Sequence, residues 1–393
     1  MVTRDRSGDA DDAGAGDPDT ADLEPLLSRL AQDGPVAERV DFPVGTLLPD
    51  GRLDLCKQDL GPDGGRAVAA ALRPDGPVRH LLMGTDLLGD AGAVAVAHAA
   101  SGAGVDTVYL GCNLIGPEGA HGIAAALRDR PGVSGLWLKR NPLGVAGART
   151  VAALVRDGTP LTTADLVQTG LTAADLPGLV DALTAPARGP GRHRVERLFL
   201  TGNRLGPEAG PVLARLLGDP CGLRELYVSA TALGDAGVRA LGTGLARAGR
   251  TAPGRLRRLA VGDNGAGPEA VAALVAAAVD AGVEVLSVGG VRASGFLGAV
   301  PNRLDEAATA RIAGVLAGRE HALTYLDLHG TGVTSRGALA LEAGQERAAT
   351  GTHFVLGSGI ARAVKRRLSA RGLPAAPAVP NEVRAIRSVY RTP

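Results

Sequence analysis

A phrase of about 28 residues recurs along this 393-residue chain and constrains its fold more than any other feature. It is clearest in Val105-x-x-Val108-x-Leu110-x-x-Asn113-x-Ile115-Gly116-Pro117-Glu118. With the central apolar residue as the marker, copies begin at Leu53, Leu81, Val108, Leu136, Ala164, Leu198, Leu226, Leu259, Leu286 and Leu326, and a degenerate eleventh begins at Phe354. The steps are 28, 27, 28, 28, 34, 28, 33, 27, 40 and 28 residues, so one unit recurs and three steps carry insertions. A constant period of this length predicts a stack of similar structural units.

Each copy predicts a strand, a tight turn and a helix. Apolar and open positions alternate over x-Leu-x-Leu-x, the pattern of a strand with one buried face. A small polar residue follows, whose side chain can bond backbone groups in the turn. A Gly-Pro-acid triplet or Leu-Gly-Asp then indicates the start of a helix. Pro fits the first helical turn, and an acidic side chain there interacts favourably with the positive end of the helix dipole. The polar turn residues are Asn113, Asn141, Asn203 and Asn264, with Gln58, Asp86, Thr169, Thr231 and Thr331 as substitutes.

These Leu-x-Leu-x-x-Asn-x-Leu-Gly runs resemble the leucine-rich repeat family, specifically its longer ribonuclease-inhibitor-like type. The likeness covers roughly residues 50 to 357. It implies an α/β fold, a right-handed solenoid or horseshoe of about ten repeats of 28 residues, with a parallel concave sheet and convex helices. Two copies depart from the pattern. The fifth has Ala164 and Thr169 in place of Leu and Asn, and the ninth has Val291 where Asn is expected, so we expect local irregularity in both.

Composition and charge divide the chain into four parts. Residues 1–22 hold seven Asp and predict a disordered acidic tail, residues 23–50 an N-terminal cap, residues 51–350 the solenoid, and residues 351–393 a C-terminal cap and basic tail. An amphipathic run at Leu23–Leu30 predicts a capping helix, Ile360–Leu368 a closing helix, and the Pro-rich Leu373–Pro380 a linker to a last short segment. The basic residues after 357 are Arg362, Lys365, Arg366, Arg367, Arg371, Arg384, Arg387 and Arg391.

The sequence contains no motif that indicates catalysis. Phosphate-binding loops, zinc-protease motifs, paired-cysteine spacings and nucleophile elbows are all absent, and the seven histidines fall at unrelated repeat positions. We therefore expect no enzymatic activity, metal or cofactor. Without an apolar run of membrane-spanning length or a signal pattern, we expect a cytoplasmic protein. Lys occurs only three times while Arg is abundant, which we interpret as the coding bias of a GC-rich bacterium such as an actinobacterium.

The strand position whose side chain should face the concave surface carries an aromatic stripe. In Leu-x-Leu, the x residues of ten copies are Asp54, Leu82, Tyr109, Trp137, Asp165, Phe199, Tyr227, Ala260, Ser287 and Asp327. Four of the nine aromatic residues of the chain occupy these ten positions, although aromatics make up only 2% of the sequence. We expect two neighbouring pairs, Tyr109 with Trp137 and Phe199 with Tyr227, on either side of Asp165. Together with Lys139 and Arg140 beside Trp137, this exposed row is typical of a protein-binding surface. The alternative is a cross-strand aromatic ladder that only stabilises the sheet.

Two insertions predict a second candidate surface. They fall between a helix and the next strand, at residues 184–194 and 247–255, and contain no acid. Both loops should project from the same edge of the solenoid, where they could bind an acidic partner or phosphates. The alternative is that they are ordinary solvated loops, which often have this composition. The third insertion, residues 289–302, directly follows its strand and should leave by the opposite edge. The basic residues of the first two insertions are Arg188, Arg192, Arg194, Arg247, Arg250 and Arg255.

The sequence therefore favours a non-enzymatic scaffold or inhibitor that binds an unidentified protein through its concave face. Two alternatives stay open. The resemblance includes regulators that activate GTPases, but no loop residue here is singled out for that role. Nucleic-acid association through the Arg-rich loops and the basic C-terminus is the other, and its binding should weaken steeply with salt.

Overall fold

The computed structural model describes residues 20–129, 132–186, 195–219, 221–249, 256–292, 294–369 and 379–387. Most of the acidic N-terminal segment therefore lies outside the described residues. The strands are β1 Val40–Asp41, β2 Thr46–Leu47, β3 Arg52–Asp54, β4 His80–Leu82, β5 Thr107–Tyr109, β6 Gly135–Trp137, β7 Thr163–Asp165, β8 Arg197–Phe199, β9 Glu225–Tyr227, β10 Arg258–Ala260, β11 Val285–Ser287, β12 Tyr325–Asp327 and β13 His353–Val355.

Helices alternate with these strands along the chain. They are α1 Thr20–Leu30, α2 Gly61–Ala71, α3 Gly89–Gly102, α4 Pro117–Asp129, α5 Val145–Arg156, α6 Leu176–Thr184, α7 Gly210–Gly218, α8 Gly234–Ala248, α9 Pro268–Ala281, α10 Ser294–Leu297, α11 Glu306–Ala317, α12 Ser335–Arg347, α13 Arg362–Ser369 and α14 Asn381–Ala385. Two 3₁₀ turns, Ala173–Asp175 and Pro207–Ala209, precede α6 and α7.

The thirteen strands form one sheet in sequence order, and β3 to β13 are all parallel. Each marker residue is the register partner of the next, from Leu53 opposite Leu81 to Leu326 opposite Phe354. The predicted repeat register is therefore confirmed over eleven strands, including the fifth copy, where Ala164 pairs with Leu136 and Leu198. These marker side chains are buried in one core that runs the length of the stack. The α/β solenoid predicted from the period is the observed fold.

The open end of the core is covered at its N-terminal side. Leu23, Leu26 and Leu30 on α1 are buried in the core, as the amphipathic pattern predicted. The strands β1 and β2 form an antiparallel hairpin that pairs with β3, which the repeat pattern did not predict. This hairpin satisfies the backbone groups that an edge strand would otherwise expose.

A ladder of buried asparagines holds neighbouring turns together, and Asn141 is representative. Its Oδ1 accepts from the backbone N–H groups of Asn113 and Ile115, at 2.8 and 3.1 Å. Its Nδ2 donates to the carbonyls of Leu110 and Leu138, at 2.8 and 2.9 Å. One side chain thus satisfies backbone groups in two repeats, which explains why an amide is used at this position.

The ninth copy also has its asparagine, contrary to the sequence-based expectation at Val291. The Oδ1 of Asn302 accepts from the backbone N–H groups of Asn264 and Ala266, at 3.1 and 3.0 Å. Its Nδ2 donates to the carbonyls of Val261 and Val288, at 2.8 and 3.0 Å. The insertion separates this residue from its strand without removing it from the ladder. The expected irregularity is therefore an extension of the turn, which carries α10.

Candidate binding site on the concave face

The aromatic stripe lies on the concave side of the sheet, but its side chains are buried. Tyr109 is 3% exposed, Trp137 0%, Phe199 1% and Tyr227 4%. The expectation of an exposed row was wrong in this respect. The four rings form a second apolar cluster, separate from the core of the stack. This second cluster also contains Leu82, Val167 and Ala260.

The cluster is completed by residues from the C-terminal end of the chain. Val383 and Ile386 belong to it, 4% and 0% exposed, and Val379 packs against it. Between them, Arg384 is exposed, and so is Arg387 after Ile386. The short helix α14 and its flanks therefore present an apolar side to the concave sheet and a basic side to solvent. We call residues 379–387 the C-terminal segment.

The C-terminal segment contacts repeats that are far apart in the stack. Its Ala385 carbonyl accepts from Nη1 of Arg52, on the first repeat strand, at 3.3 Å. Pro380 lines a cavity of about 350 Å³ formed by residues at the beginnings of β8 to β11. One short segment thus spans the concave side from the first repeat to the middle of the array.

The rings of Trp137, Phe199 and Tyr227 form a continuous row. Trp137 and Phe199 have centroids 5.0 Å apart with planes tilted by 43°, although the strand of Asp165 lies between theirs. Phe199 and Tyr227 are stacked at 4.2 Å with planes 10° apart. Because Asp165 is small, the larger rings on either side can lean towards each other across it. The predicted pairing of Phe199 with Tyr227 is confirmed, and Trp137 additionally contacts Phe199 across the strand of Asp165.

Asp165 is consequently a buried carboxyl, 1% exposed. Its Oδ1 accepts from the backbone N–H of Val167 at 2.7 Å, and its Oδ2 has no hydrogen-bond partner among the described residues. Burial raises the pKa of Asp165 to about 7, while the Val167 N–H and the positive charge of Lys139 favour the ionised form. This carboxyl can therefore change its charge near neutral pH.

Lys139 and Arg140 follow Trp137 closely in the chain and lie where the sheet leads into the turn. Nζ of Lys139 lies 5.5 Å from the centroid of the Tyr109 ring, close enough for a cation–π contact. Burial lowers the pKa of Lys139, and Asp165 opposes that shift. Arg140 is exposed, and its Nε donates to the Gln168 side chain at 3.1 Å. Both residues form part of the polar rim of the cluster.

Two glycines that the sequence analysis did not single out make room for the Tyr109 ring. A Cβ on Gly84 would collide with the edge of this ring, and a Cβ on Gly111 would lie 2.7 Å from its hydroxyl oxygen. Both glycines stand two positions after a concave residue, in the repeats of β4 and β5. That shared offset was a signal visible in the sequence.

An ion-pair network borders the same face at the beginnings of the strands. The Tyr227 hydroxyl donates to Glu225 Oε2 at 2.7 Å. Arg197 and Arg258 lie 3.5 and 3.7 Å from the Glu225 carboxylate. These partly buried groups fix the ring of Tyr227 and give this rim mixed charge.

The predicted basic edge is only partly within the described residues. Arg188, Arg192, Arg194, Arg250 and Arg255 lie outside them. Arg247 is described, and its Nη2 pairs with Asp219 of the neighbouring repeat at 3.0 Å. Arg247 therefore lies in the last turn of α8 and is ion-paired, and the basic edge formed by the two loops stays a prediction.

In the part of the chain that the structure describes, no three His, Cys, Asp or Glu side chains stand together in a way that could hold a metal ion. Within the same ranges, no helix combines the length and apolar character that crossing a bilayer requires.

The chain was compared with known proteins. No protein-family model and no curated protein matches it. Solved structures with a similar arrangement include the Rad7 and Elc1 complex of yeast, at 15% identity and TM-score 0.42, covering 70% of this chain and 68% of that one. The leucine-rich repeat-containing protein LegL7 of Legionella pneumophila aligns at 15% identity and TM-score 0.47, covering 82% and 91%. The TLR13–ssRNA13 complex aligns at 13% identity and TM-score 0.31, covering 69% and 38%.

The classification rests on the chain's own repeats. Eleven parallel strands pair marker to marker, helices follow the turns, and asparagine side chains join successive turns. The chain therefore has the fold of a solenoid of strand-turn-helix repeats, the architecture that leucine-rich repeats adopt.

Proposed function

We propose that this protein is a non-enzymatic scaffold or inhibitor that binds a protein partner on its concave face. One observation carries the proposal: the concave aromatic cluster already accepts a short apolar peptide segment, the chain's own Val383 and Ile386. Large aromatic side chains with a mixed polar rim are the typical composition of binding hot spots. We propose Tyr109, Trp137, Lys139, Arg140, Asp165, Phe199 and Tyr227 as the binding residues.

The test requires a variant that changes binding without disrupting folding. Trp137 is unsuitable, because removing a fully buried indole costs about 3–5 kcal/mol of stability. Arg140 is exposed at the rim, and Arg149 is exposed on α5 of the same repeat, on the convex side. Arg140→Glu and Arg149→Glu are therefore matched reversals of charge on opposite faces.

Full-length protein serves as bait, bound proteins are identified by mass spectrometry, and the Kd of each purified candidate is measured by calorimetry. We expect Arg140→Glu to raise the Kd by about tenfold and Arg149→Glu by less than about twofold, since rim charges contribute mainly to electrostatic complementarity. Equal effects of the two variants, or a larger effect of Arg149→Glu, would contradict a concave binding site.

Cytoplasmic location and the ribonuclease-inhibitor-like subtype belong to the same proposal and rest on the sequence alone. GTPase activation and nucleic-acid binding are not proposed, because neither has a supporting observation of its own.

A further inference from the structure

The C-terminal segment binds the concave face in the manner of a peptide ligand. Of its two buried apolar residues, Val383 lies in the short helix α14, and Ile386, three positions later, is the residue that caps the end of this helix. This spacing places them on the same helix face, the arrangement by which helical peptides fit apolar grooves. The intervening Arg384 points to solvent and donates to the carbonyl of Val379 within the segment at 3.4 Å.

Within the ranges that the structure describes, few polar contacts join the segment to the array. The hydrogen bond from Arg52 to the Ala385 carbonyl is long, at 3.3 Å. Attachment therefore depends mainly on apolar contact between two side chains and the aromatic cluster. An occupant held in this way can be replaced by another segment with the same apolar pattern.

Polar groups on the concave side remain unsatisfied while the segment is in place. Among the described residues, Nε of Arg52 and Oδ2 of Asp165 are buried without a hydrogen-bond partner. Both residues lie on strands of the concave sheet, β3 and β7. The segment fills the apolar part of the surface and leaves these two polar atoms without hydrogen bonds. A ligand that forms hydrogen bonds with them would therefore bind more tightly than the segment does.

We propose that residues 379–387 are an intramolecular ligand of the concave cluster, and that the external partner is a protein carrying a short helix with two apolar residues three positions apart. The partner's helix competes with the segment for the same surface. This inference rests on the proposed function and adds both the chemical pattern of the partner and a built-in competitor.

The proposal makes a quantitative demand on peptide binding. If the segment occupies the cluster in about nine molecules of ten, only one in ten can accept an external peptide, so the apparent Kd is raised about tenfold. Removing the segment's apolar contacts should abolish this tenfold increase in the apparent Kd. The probe is a fluorescently labelled peptide with the sequence of residues 379–387.

Binding is measured by fluorescence anisotropy to three full-length proteins. They are the wild type, the double variant Val383→Asp with Ile386→Asp, and the matched control Arg384→Asp with Arg387→Asp, whose new acids lie at exposed positions of the same segment. A milder pair, Val383→Ala with Ile386→Ala, replaces the first variant if circular dichroism shows that it does not fold. We expect the peptide to bind the double variant at least about tenfold more tightly than the wild type or the control.

A second peptide carrying aspartate at the two apolar positions should not bind any of the proteins. Equal affinities for all three proteins, or equal binding of the two peptides, would overturn the inference. The effect of Arg140→Glu on the Kd of a purified partner decides the proposed function separately. The proposed function and the inference about the C-terminal segment can therefore fail independently of each other.

Discussion

Replacing Asn141 tests whether the asparagine ladder stabilises the stack. Its Oδ1 accepts two backbone N–H groups and its Nδ2 donates to two carbonyls, all within 3.1 Å. The side chain is 1% exposed, so water does not replace these bonds in the folded state. Each buried N–H left unsatisfied costs about 1–3 kcal/mol, so Asn141→Ala should lower the free energy of unfolding by about 3–5 kcal/mol.

The protein supplies its own intermediate variant. Thr169, Thr231 and Thr331 occupy the equivalent position, and each hydroxyl donates to the carbonyl three residues earlier, at 2.9, 2.7 and 2.6 Å. Asn141→Thr should keep that one bond and lose the others. We expect it to be less destabilising than Asn141→Ala by about 1 kcal/mol, the usual net contribution of one hydrogen bond.

The assay is urea denaturation. Unfolding is monitored by far-UV circular dichroism and by the fluorescence emission of Trp137, which lies in the same repeat. Gln168→Ala is the control, because that amide lies in an adjacent turn but is only partly buried and bonds an exposed Arg140. It should change stability by less than about 0.5 kcal/mol. If Asn141→Ala costs no more than the control, or if the threonine variant is the less stable one, the ladder does not have the role assigned to it.

Two further predictions concern the concave cluster. Because burial raises the pKa of Asp165 to about 7, the folded protein retains a proton that the unfolded chain loses near pH 4, so this group's contribution to stability should fall as the pH rises from about 4 to 7. The difference in urea midpoint between Asp165→Asn and the wild type should therefore grow in favour of the variant from pH 5 to pH 8, and a pH-independent difference would contradict the assignment. Gly84→Ala should cost about 1–3 kcal/mol, because its Cβ collides with the Tyr109 ring, whereas Gly178→Ala on α6, with nothing near its Cβ, should be neutral or slightly stabilising in the same thermal melts. Equal melting temperatures of the two glycine variants would show that the ring moves aside freely.

The repeat period predicted most of the fold because each unit repeats the same local physics. Alternation placed Leu53 and its equivalents in the core and the aromatic residues on the concave side, and both placements are observed. Periodicity depends on residues a few positions apart, so it could not foresee an insertion that moves Asn302 away from its strand. It also gave no indication of the two-residue strands β1 and β2, whose pairing depends on contact with β3.

The repeat pattern could not predict that the C-terminal segment covers the concave face, and the reason is different. Val383 lies more than 150 residues from Tyr227 and further from Tyr109, and no local rule links a terminal segment to a surface so distant in sequence. The pair Val383 and Ile386 at helical spacing was visible in the sequence, but the basic residues around it suggested a solvated tail. Exposure of the stripe was inferred from the strand pattern alone, which describes the sheet and not what lies on it.

Trp137 allows the central claim, that the C-terminal segment covers the aromatic cluster, to be measured directly. It is the only tryptophan in the chain, and its side chain is fully buried in the cluster. We expect the wild type and the Arg384→Asp, Arg387→Asp control to show blue-shifted emission that acrylamide quenches poorly. Val383→Asp with Ile386→Asp should shift the emission to longer wavelength and increase quenching, with an unchanged far-UV circular dichroism spectrum. Identical emission and quenching in all three proteins would contradict the account, because Trp137 would then be buried without the segment.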